Sequence, residues 1–432
     1  MAYKMEQEEL KRKLMGLWEK TTHNSKELLG VLFDYYFDMR YIEYIEHEGK
    51  IISALCGIPY FFGYGKKQLK GLYIIPLSQE EGYRKKGTLS ELLMEFNLRL
   101  KEDFDFTFLL PHTALLADYY GTQGYFSSFF ILEERFTPLH DFRNDYYLSL
   151  NDSDERIREL KIALMDETFV SEFKGNSQFS KNQIIQFIEE IEHKGSSYVN
   201  LCHTKNDLEY LLQDHTVKNL NIYISYDAEK KITGIVFTQK EELKRTRVIA
   251  SYVADSCSYY SLLEFIKNQF PDNSISINTF DPKIQTHAII QQTYASSNPY
   301  GGDLDNTFSS IEIPFNMNKL LQPLGMVRLL RFDTILDFLA SKRSDADFKL
   351  LIREPKESDR EVNNGSEKRV FVVKNGKCSE ESYDKYLHDN TVLKLTPKEV
   401  SELLLRKNDS SNLIMEAFGI PRLDLQIRLL PC

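Results

Sequence analysis

The chain has no uninterrupted apolar run near the roughly 18 residues that a membrane-spanning helix needs, which predicts a protein that does not enter a bilayer. Its five cysteines (Cys56, Cys202, Cys257, Cys378, Cys432) are odd in number, scattered, and include no Cys-x-x-Cys pair. That argues against a disulfide framework and against a zinc site or other metal, and leaves the thiols as small buried apolar groups. The opening MAYKMEQEELKRK has neither an apolar stretch nor a small-residue cleavage site, so a cytoplasmic location is expected. Positive charge is also scarce. Against 64 Asp and Glu stand 54 Lys and Arg, a formal net charge of −10, which disfavours nucleic acid and anionic membrane surfaces and favours cationic partners.

What remains is ordinary globular material: 42% hydrophobic and 27% charged residues over 432 positions, enough for about three domains of roughly 150 residues. The pattern predicts α/β (α+β) architecture with mixed sheets. Two helical stretches, Gln7–Trp18 and Ser25–Met39, precede strands at Tyr41–His47, Ile51–Ile58 and Gly71–Leu77. A helix over Thr88–Lys101, a strand at Phe106–Leu110 and an aromatic segment, Tyr119 to Tyr125, complete a first region, 1–150. In 151–322 a charged helical part comes first. Then strands at Leu220–Tyr226, Ile232–Gln239 and Val248–Val253, a helix at Tyr260–Gln269 and a strand at Ser274–Asn278 repeat the earlier order. The copy is incomplete, because Val253 to Ser258 holds no glycine and no basic residue. A third region, 323–432, opens with a strand-then-helix pattern over Val327–Leu339. It carries a capped helix start at Thr396-Pro397-Lys398-Glu399 and ends in an alternating strand, Leu423 to Leu429.

The segment with chemical content is the strand Gly71–Leu77 leading through Arg84-Lys85-Lys86-Gly87 into the helix that starts at Thr88-Leu89. Three cations at a helix N-terminus oppose the helix dipole, an arrangement that makes sense when an anion such as a pyrophosphate occupies the site. The competing reading is a loop whose charges simply face water.

Here the sequence resembles the GCN5-related N-acetyltransferase (GNAT) superfamily, whose pattern (Arg or Gln)-x-x-Gly-x-(Gly or Ala) lies between a strand and a helix. In this chain it reads Arg84-x-x-Gly87-x-Leu89, with Leu89 where the family has a small residue. Tyr119-Tyr120-Gly121-Thr122-Gln123-Gly124-Tyr125 is similar to the family's Phe-Tyr-x-x-x-Gly-(Phe or Tyr) segment. The layout also resembles the enhanced intracellular survival (Eis) branch: a catalytic GNAT domain, a GNAT-like domain without the cofactor motif, and a domain shaped like sterol carrier protein.

The resemblance implies acetyl-CoA as cofactor, bound by Tyr73, Ile74 and Ile75 of the strand and by Arg84, Lys85, Lys86, Gly87, Thr88 and Leu89. It implies a small-molecule or peptide amine as acceptor, an aminoglycoside, polyamine or lysine side chain, and assembly into a homo-oligomer. Carried over by position, Tyr120 is the proton donor to the leaving thiolate and the terminal carboxylate of Cys432 the base. Asp34 and Asp38 are candidates for the amine, although a solvated acidic helix face explains them equally well. His112, after Pro111 at a strand end, is an alternative base. The rival from another class is a CoA- or lipid-binding module without activity.

Overall fold

The structure is a computed structural model that describes residues 2–22, 24–84, 86–150, 155–174, 177–193, 199–242, 244–279, 319–343, 345–353, 368–386, 388–389, 391–405, 415, 420, 423 and 425–426. Helices α1 (Ala2–Thr22) and α2 (Lys26–Tyr36) open the chain. In α1, Leu10, Leu14, Leu17 and Trp18 recur at helical spacing and all are buried, while α2 starts where the Ser25 hydroxyl accepts a hydrogen bond from the Leu28 N–H. Strands β1 (Ile42–His47), β2 (Lys50–Tyr64) and β3 (Lys67–Gln79) form an antiparallel meander. Helix α3 (Thr88–Leu100) then crosses to β4 (Phe106–Leu109), parallel to β3, and α4 (Ala114–Thr122) leads into β5 (Phe126–Phe136).

After α5 (Phe142–Ser149) and α6 (Glu155–Asp166), the second region contains β6 (Phe169–Glu172), α7 (Lys181–His193), β7 (Val199–Cys202) and α8 (Lys205–Val217). Strands β8 (Asn221–Tyr226), β9 (Ile232–Glu241) and β10 (Arg245–Val253) follow, then α9 (Ser256–Gln269) and β11 (Ser274–Thr279). The antiparallel pairing of β8 with β9 and β9 with β10, and the parallel pairing of β10 with β11, reproduce the pairing of β1 through β4. The repeat expected from the strand order is therefore a repeat of topology.

The two copies share one sheet. Among the described residues it has thirteen strands, and β12 (Lys319–Leu329) lies antiparallel between β4 and β5, with Val327 opposite both Phe108 and Phe126. The expected boundary at 322/323 thus falls inside a strand of the first region's sheet. On the other side β5 pairs with β11, which joins the copies, and β7 pairs with the far end of β2.

The third region has α10 (Phe332–Lys342) and a four-stranded sheet of β13 (Phe348–Arg353), β14 (Lys368–Lys374), β15 (Lys377–Glu381) and β16 (Val392–Leu395), then α11 (Pro397–Leu405) and β17 (Leu425–Gln426). Thr396 and Glu399 form the expected reciprocal cap at the start of α11. The buried side chains of this region join the first region's core, apart from a small cluster of Leu351, Val370, Tyr386 and Val392. Phe332, Leu336, Phe371 and Leu404 belong to one apolar cluster with Tyr60, Tyr73, Phe106 and Phe108 of the first sheet. No helix among the described residues is long and apolar enough to cross a membrane.

Candidate functional site

Strands β3 and β4 pair only from Gly71/Phe106 to Tyr73/Phe108, and then separate although β3 runs on to Gln79. A bulge helps to turn β3 away, since Ile74 faces Gly57 while Leu77 faces Leu55, leaving Ile75 and Pro76 opposite a single residue. Tyr73, stacked on Phe108 with ring centres 5.1 Å apart, closes the inner end of the split. The backbone of Ile74 and Ile75 faces one side and Leu109 and Leu110 end the other. The sequence-predicted Tyr73, Ile74 and Ile75 thus stand where parallel strands part, a place where peptide groups have no ladder partner.

Past β3 the chain makes a short turn to Gly87, the N-cap of α3. Its φ of +79° lies in the left-handed region that favours glycine, and a β-carbon there would meet nothing within 4 Å. Among the described residues no side chain caps this helix. The N–H groups of its first turn therefore have no side-chain acceptor among the described residues, and with the positive end of the helix dipole they are available to an anion. Arg84 and Lys86 are exposed beside it and form no ion pair among the described residues, and the Lys86 ammonium rests 4.8 Å over the Tyr83 ring. Lys85 lies outside the described residues. Thr88 accepts a hydrogen bond from the Gln79 side chain, which ties the helix start to the end of β3. Leu89 is half-buried and packs on the apolar cluster of Leu92, Leu93 and Phe96, so the residue that departs from the family pattern has a packing role.

Helix α4 puts Tyr119 and Tyr120 next to this site. It stops because Gly124, at φ +81°, turns the chain so that the Tyr125 N–H bonds back to the Tyr120 carbonyl. Tyr125 is fully buried, and its hydroxyl lies 3.0 Å from that of Thr107, which donates to Asn97 at 2.8 Å. This network, invisible in the sequence apart from Gly124, locks α4 to β4 and α3. Tyr120 is 6% exposed in the cluster that holds Leu72, Ile74 and Leu109, and no side chain among the described residues hydrogen-bonds its hydroxyl. Burial, with Tyr125 and Tyr119 beside it, pushes its pKa well above the ordinary value, so it stays protonated. Tyr119, half-buried, is engaged instead: its hydroxyl lies 3.0 Å from Ser90 in the first turn of α3.

The other predicted positions are less concentrated. Asp34 is exposed on α2. Asp38 closes a turn and is taken up by Arg40, whose N–H and guanidinium both donate to it, which holds the carboxyl below its usual range. His112 is exposed after β4. Cys432 lies outside the described residues. Leu425 and Gln426, nearest to it, pair with Val199 and Asn200 of β7, and Leu425 joins the cluster containing Tyr73. Among the described residues no group of three or more His, Cys, Asp or Glu could hold a metal ion.

No family model matches the chain, and neither does any curated protein. Solved structures do. A conserved protein of unknown function from Enterococcus faecalis V583, described as a probable N-acyltransferase, superposes with a TM-score of 0.63 at 14% identity, over 95% of this chain and 91% of its own. A GCN5-related N-acetyltransferase from Anabaena variabilis ATCC 29413 gives 0.58 at 13% identity, over 94% and 90%. The fold is that of the GCN5-related N-acetyltransferases. Eis1 from Mycobacterium abscessus gives 0.57 at 9% identity, over 96% and 91%, so the likeness to an Eis protein also runs through all three regions. Within this GNAT fold, the split between β3 and β4, the uncapped start of α3 and the buried Tyr120 lie on one apolar cluster of the first region.

Proposed function

We propose that the protein is an acetyl-CoA-dependent N-acetyltransferase acting on an amine acceptor. One observation carries the reading: an uncapped helix N-terminus opens beside a strand split, and the buried Tyr120, in one apolar cluster with Leu72 and Ile74 of that split, has no side-chain hydrogen-bond partner among the described residues. The residues present fit the cofactor, because backbone N–H groups of Thr88 to Ser90 with Arg84 and Lys86 can hold a pyrophosphate, and the split can admit an extended pantetheine arm between two strand edges. When bound, acetyl-CoA supplies a thioester carbonyl for attack.

The amine must first lose a proton, since its reference pKa of about 10.4 leaves it mostly protonated at neutral pH. A carbon–nitrogen bond would then form as the carbon–sulfur bond breaks, the sulfur taking the electron pair and the surplus proton of the nitrogen ending on it as the thiol. Tyr120 keeps its proton above the roughly 8.5 of a thiol, so its hydroxyl steadies the departing sulfur by donating a hydrogen bond to it. The test of the whole reading is thiol release from acetyl-CoA with polyamines, aminoglycosides and lysine peptides. CoA binding without thiol release on any amine would favour the binding-module alternative.

A further inference from the structure

Helices α3 and α4 cover one face of the split through Leu92, Leu93, Phe96 and Tyr120, while the opposite face, that of Tyr73 and Phe108, packs in the cluster that also holds Val31 and Leu32 of α2. Among the half-buried side chains packed against that cluster are Tyr35 and Tyr36 of α2, Ile75, Leu110 and Phe126. Tyr36 is fixed in a way the others are not. Its hydroxyl donates to Oδ1 of Asp207 at 2.5 Å, across 171 residues of sequence.

Asp207 is 4% exposed, in the first turn of α8. Its Oδ2 already accepts the Thr204 N–H and hydroxyl, each at 2.6 Å, which completes the helix cap. The contact with Tyr36 is additional to that cap, and it commits a buried carboxyl oxygen to one phenol. The Tyr36 ring stands edge-on to Tyr210 at 4.9 Å. The fully buried Tyr60 lies next to Tyr36 and 6.4 Å from Tyr73, so a row of phenols runs from the inner end of the split to Asp207.

We propose that Tyr36 accepts an N–H of the acceptor amine and that Asp207, from the region without a cofactor motif, is its positioning residue. A phenol whose proton is committed to a carboxylate offers its oxygen lone pairs to a donor, and polarisation along the chain strengthens that acceptance. The second region thereby acts on acceptor binding while holding no cofactor. The inference rests on the acetyltransferase reading for the identity of the ligand and on the Tyr36–Asp207 geometry for the site.

The experiment is calorimetric titration of the full chain, saturated with CoA, with spermidine, kanamycin and an Nα-acetyl-lysine amide. Tyr36→Phe and Asp207→Asn should each weaken amine binding about tenfold, the effect of one lost or weakened hydrogen bond, and the double variant should lose little more. CoA affinity should not move. Thr204→Val, which removes the capping hydroxyl and leaves the Tyr36 contact, should lower the melting temperature without changing amine affinity. Unchanged amine affinity in both Tyr36→Phe and Asp207→Asn, an equal loss in Thr204→Val, or no amine binding by the unaltered protein would overturn the proposal. Amine binding that responds as expected without any thiol release would sink the acetyltransferase reading and leave this one standing.

Discussion

The two copies of the fold treat the same helix start in opposite ways. In the first, β3 leads to Gly87, no side chain among the described residues caps α3, and exposed Arg84 and Lys86 flank the helix start. In the second, β10 leads to Asp255, whose carboxylate accepts the Ser258 N–H at 2.8 Å. The equivalent crossing therefore carries its own anion, covalently fixed where a phosphate would sit. Strand geometry does not make the difference, because β10 and β11 also part after Val248/Ile277, and β10 also carries a bulge there. The two helix starts differ both in the N-cap residue, glycine or aspartate, and in the cations beside it.

The first region's claim to the chemistry would break at Tyr120. Tyr120→Phe keeps the ring and its packing on Tyr125 and removes only the hydroxyl. Turnover should fall by roughly 100- to 10,000-fold with CoA affinity unchanged, in steady-state thiol release compared with calorimetric binding. Equal turnover would move the donor elsewhere, Tyr119 being next to examine.

The second region should show itself through stability. His215 of α8 is buried against Phe237, its Nδ1–H donating to the Leu211 carbonyl, and burial holds its pKa down to about 4 from 6.5. A depressed folded pKa means that the unfolded chain binds the proton more readily, so this contribution is fully present above pH 6.5 and disappears as pH falls through about 4. Its size is about 3 kcal/mol, at roughly 1.4 kcal/mol per pKa unit. His215→Gln should flatten the acid limb of stability in denaturant titrations between pH 7 and 4. A limb of unchanged slope would mean that His215 is accessible to protons in the fold.

At Gly87 the expected loss is smaller and specific to the first copy. Gly87→Val puts a β-branched residue at φ +79° and a side chain in the open space in front of the α3 N–H groups. CoA affinity should drop roughly 10- to 100-fold, the equivalent of about 1.4–2.8 kcal/mol. Affinity equal to the unaltered protein in calorimetry would remove the anion site from this helix.

Much of this was readable from local sequence. Glycine between a strand and a helix, cations beside it, Gly124 after the two tyrosines and the missing motif at Ala254 to Ser258 are signals carried within a few residues. The structure adds what depends on distant partners. Strand β12 is indistinguishable in sequence from the first strand of a third domain, and only its pairing with β4 and β5 assigns it to the first sheet. The four-residue strands β6 and β7 are too short to alternate visibly within a helical stretch. Asp34 and Asp38 sit near the acceptor candidates in sequence, yet Asp38 is consumed by its neighbour Arg40, and the carboxylate that reaches Tyr36 comes from position 207. Of the alternating C-terminal run, Leu425–Gln426 forms a strand and Leu423 is buried, while 427–432 lie outside the described residues.

The smallest expected effect sharpens the comparison most directly. Asp255→Ala removes the carboxylate from the second helix start and leaves the backbone of α9 in place. If Asp255 serves only as a cap, the second region should lose about 1 kcal/mol of stability, the usual worth of an N-cap. The titration with CoA should still end at one molecule per chain. An exposed helix end without neighbouring cations is a weak anion site, because the dipole alone contributes only about 0.3–1 kcal/mol at a solvated terminus, far from the many contacts that hold a cofactor. From Val253 to Ser258 the chain contains no basic residue to add to it. A second CoA bound by Asp255→Ala would mean that the carboxylate had been excluding a ligand rather than merely replacing one. The difference between the copies would then reduce to that single side chain, with the Arg84 to Lys86 cations contributing rate or selectivity instead of the site itself.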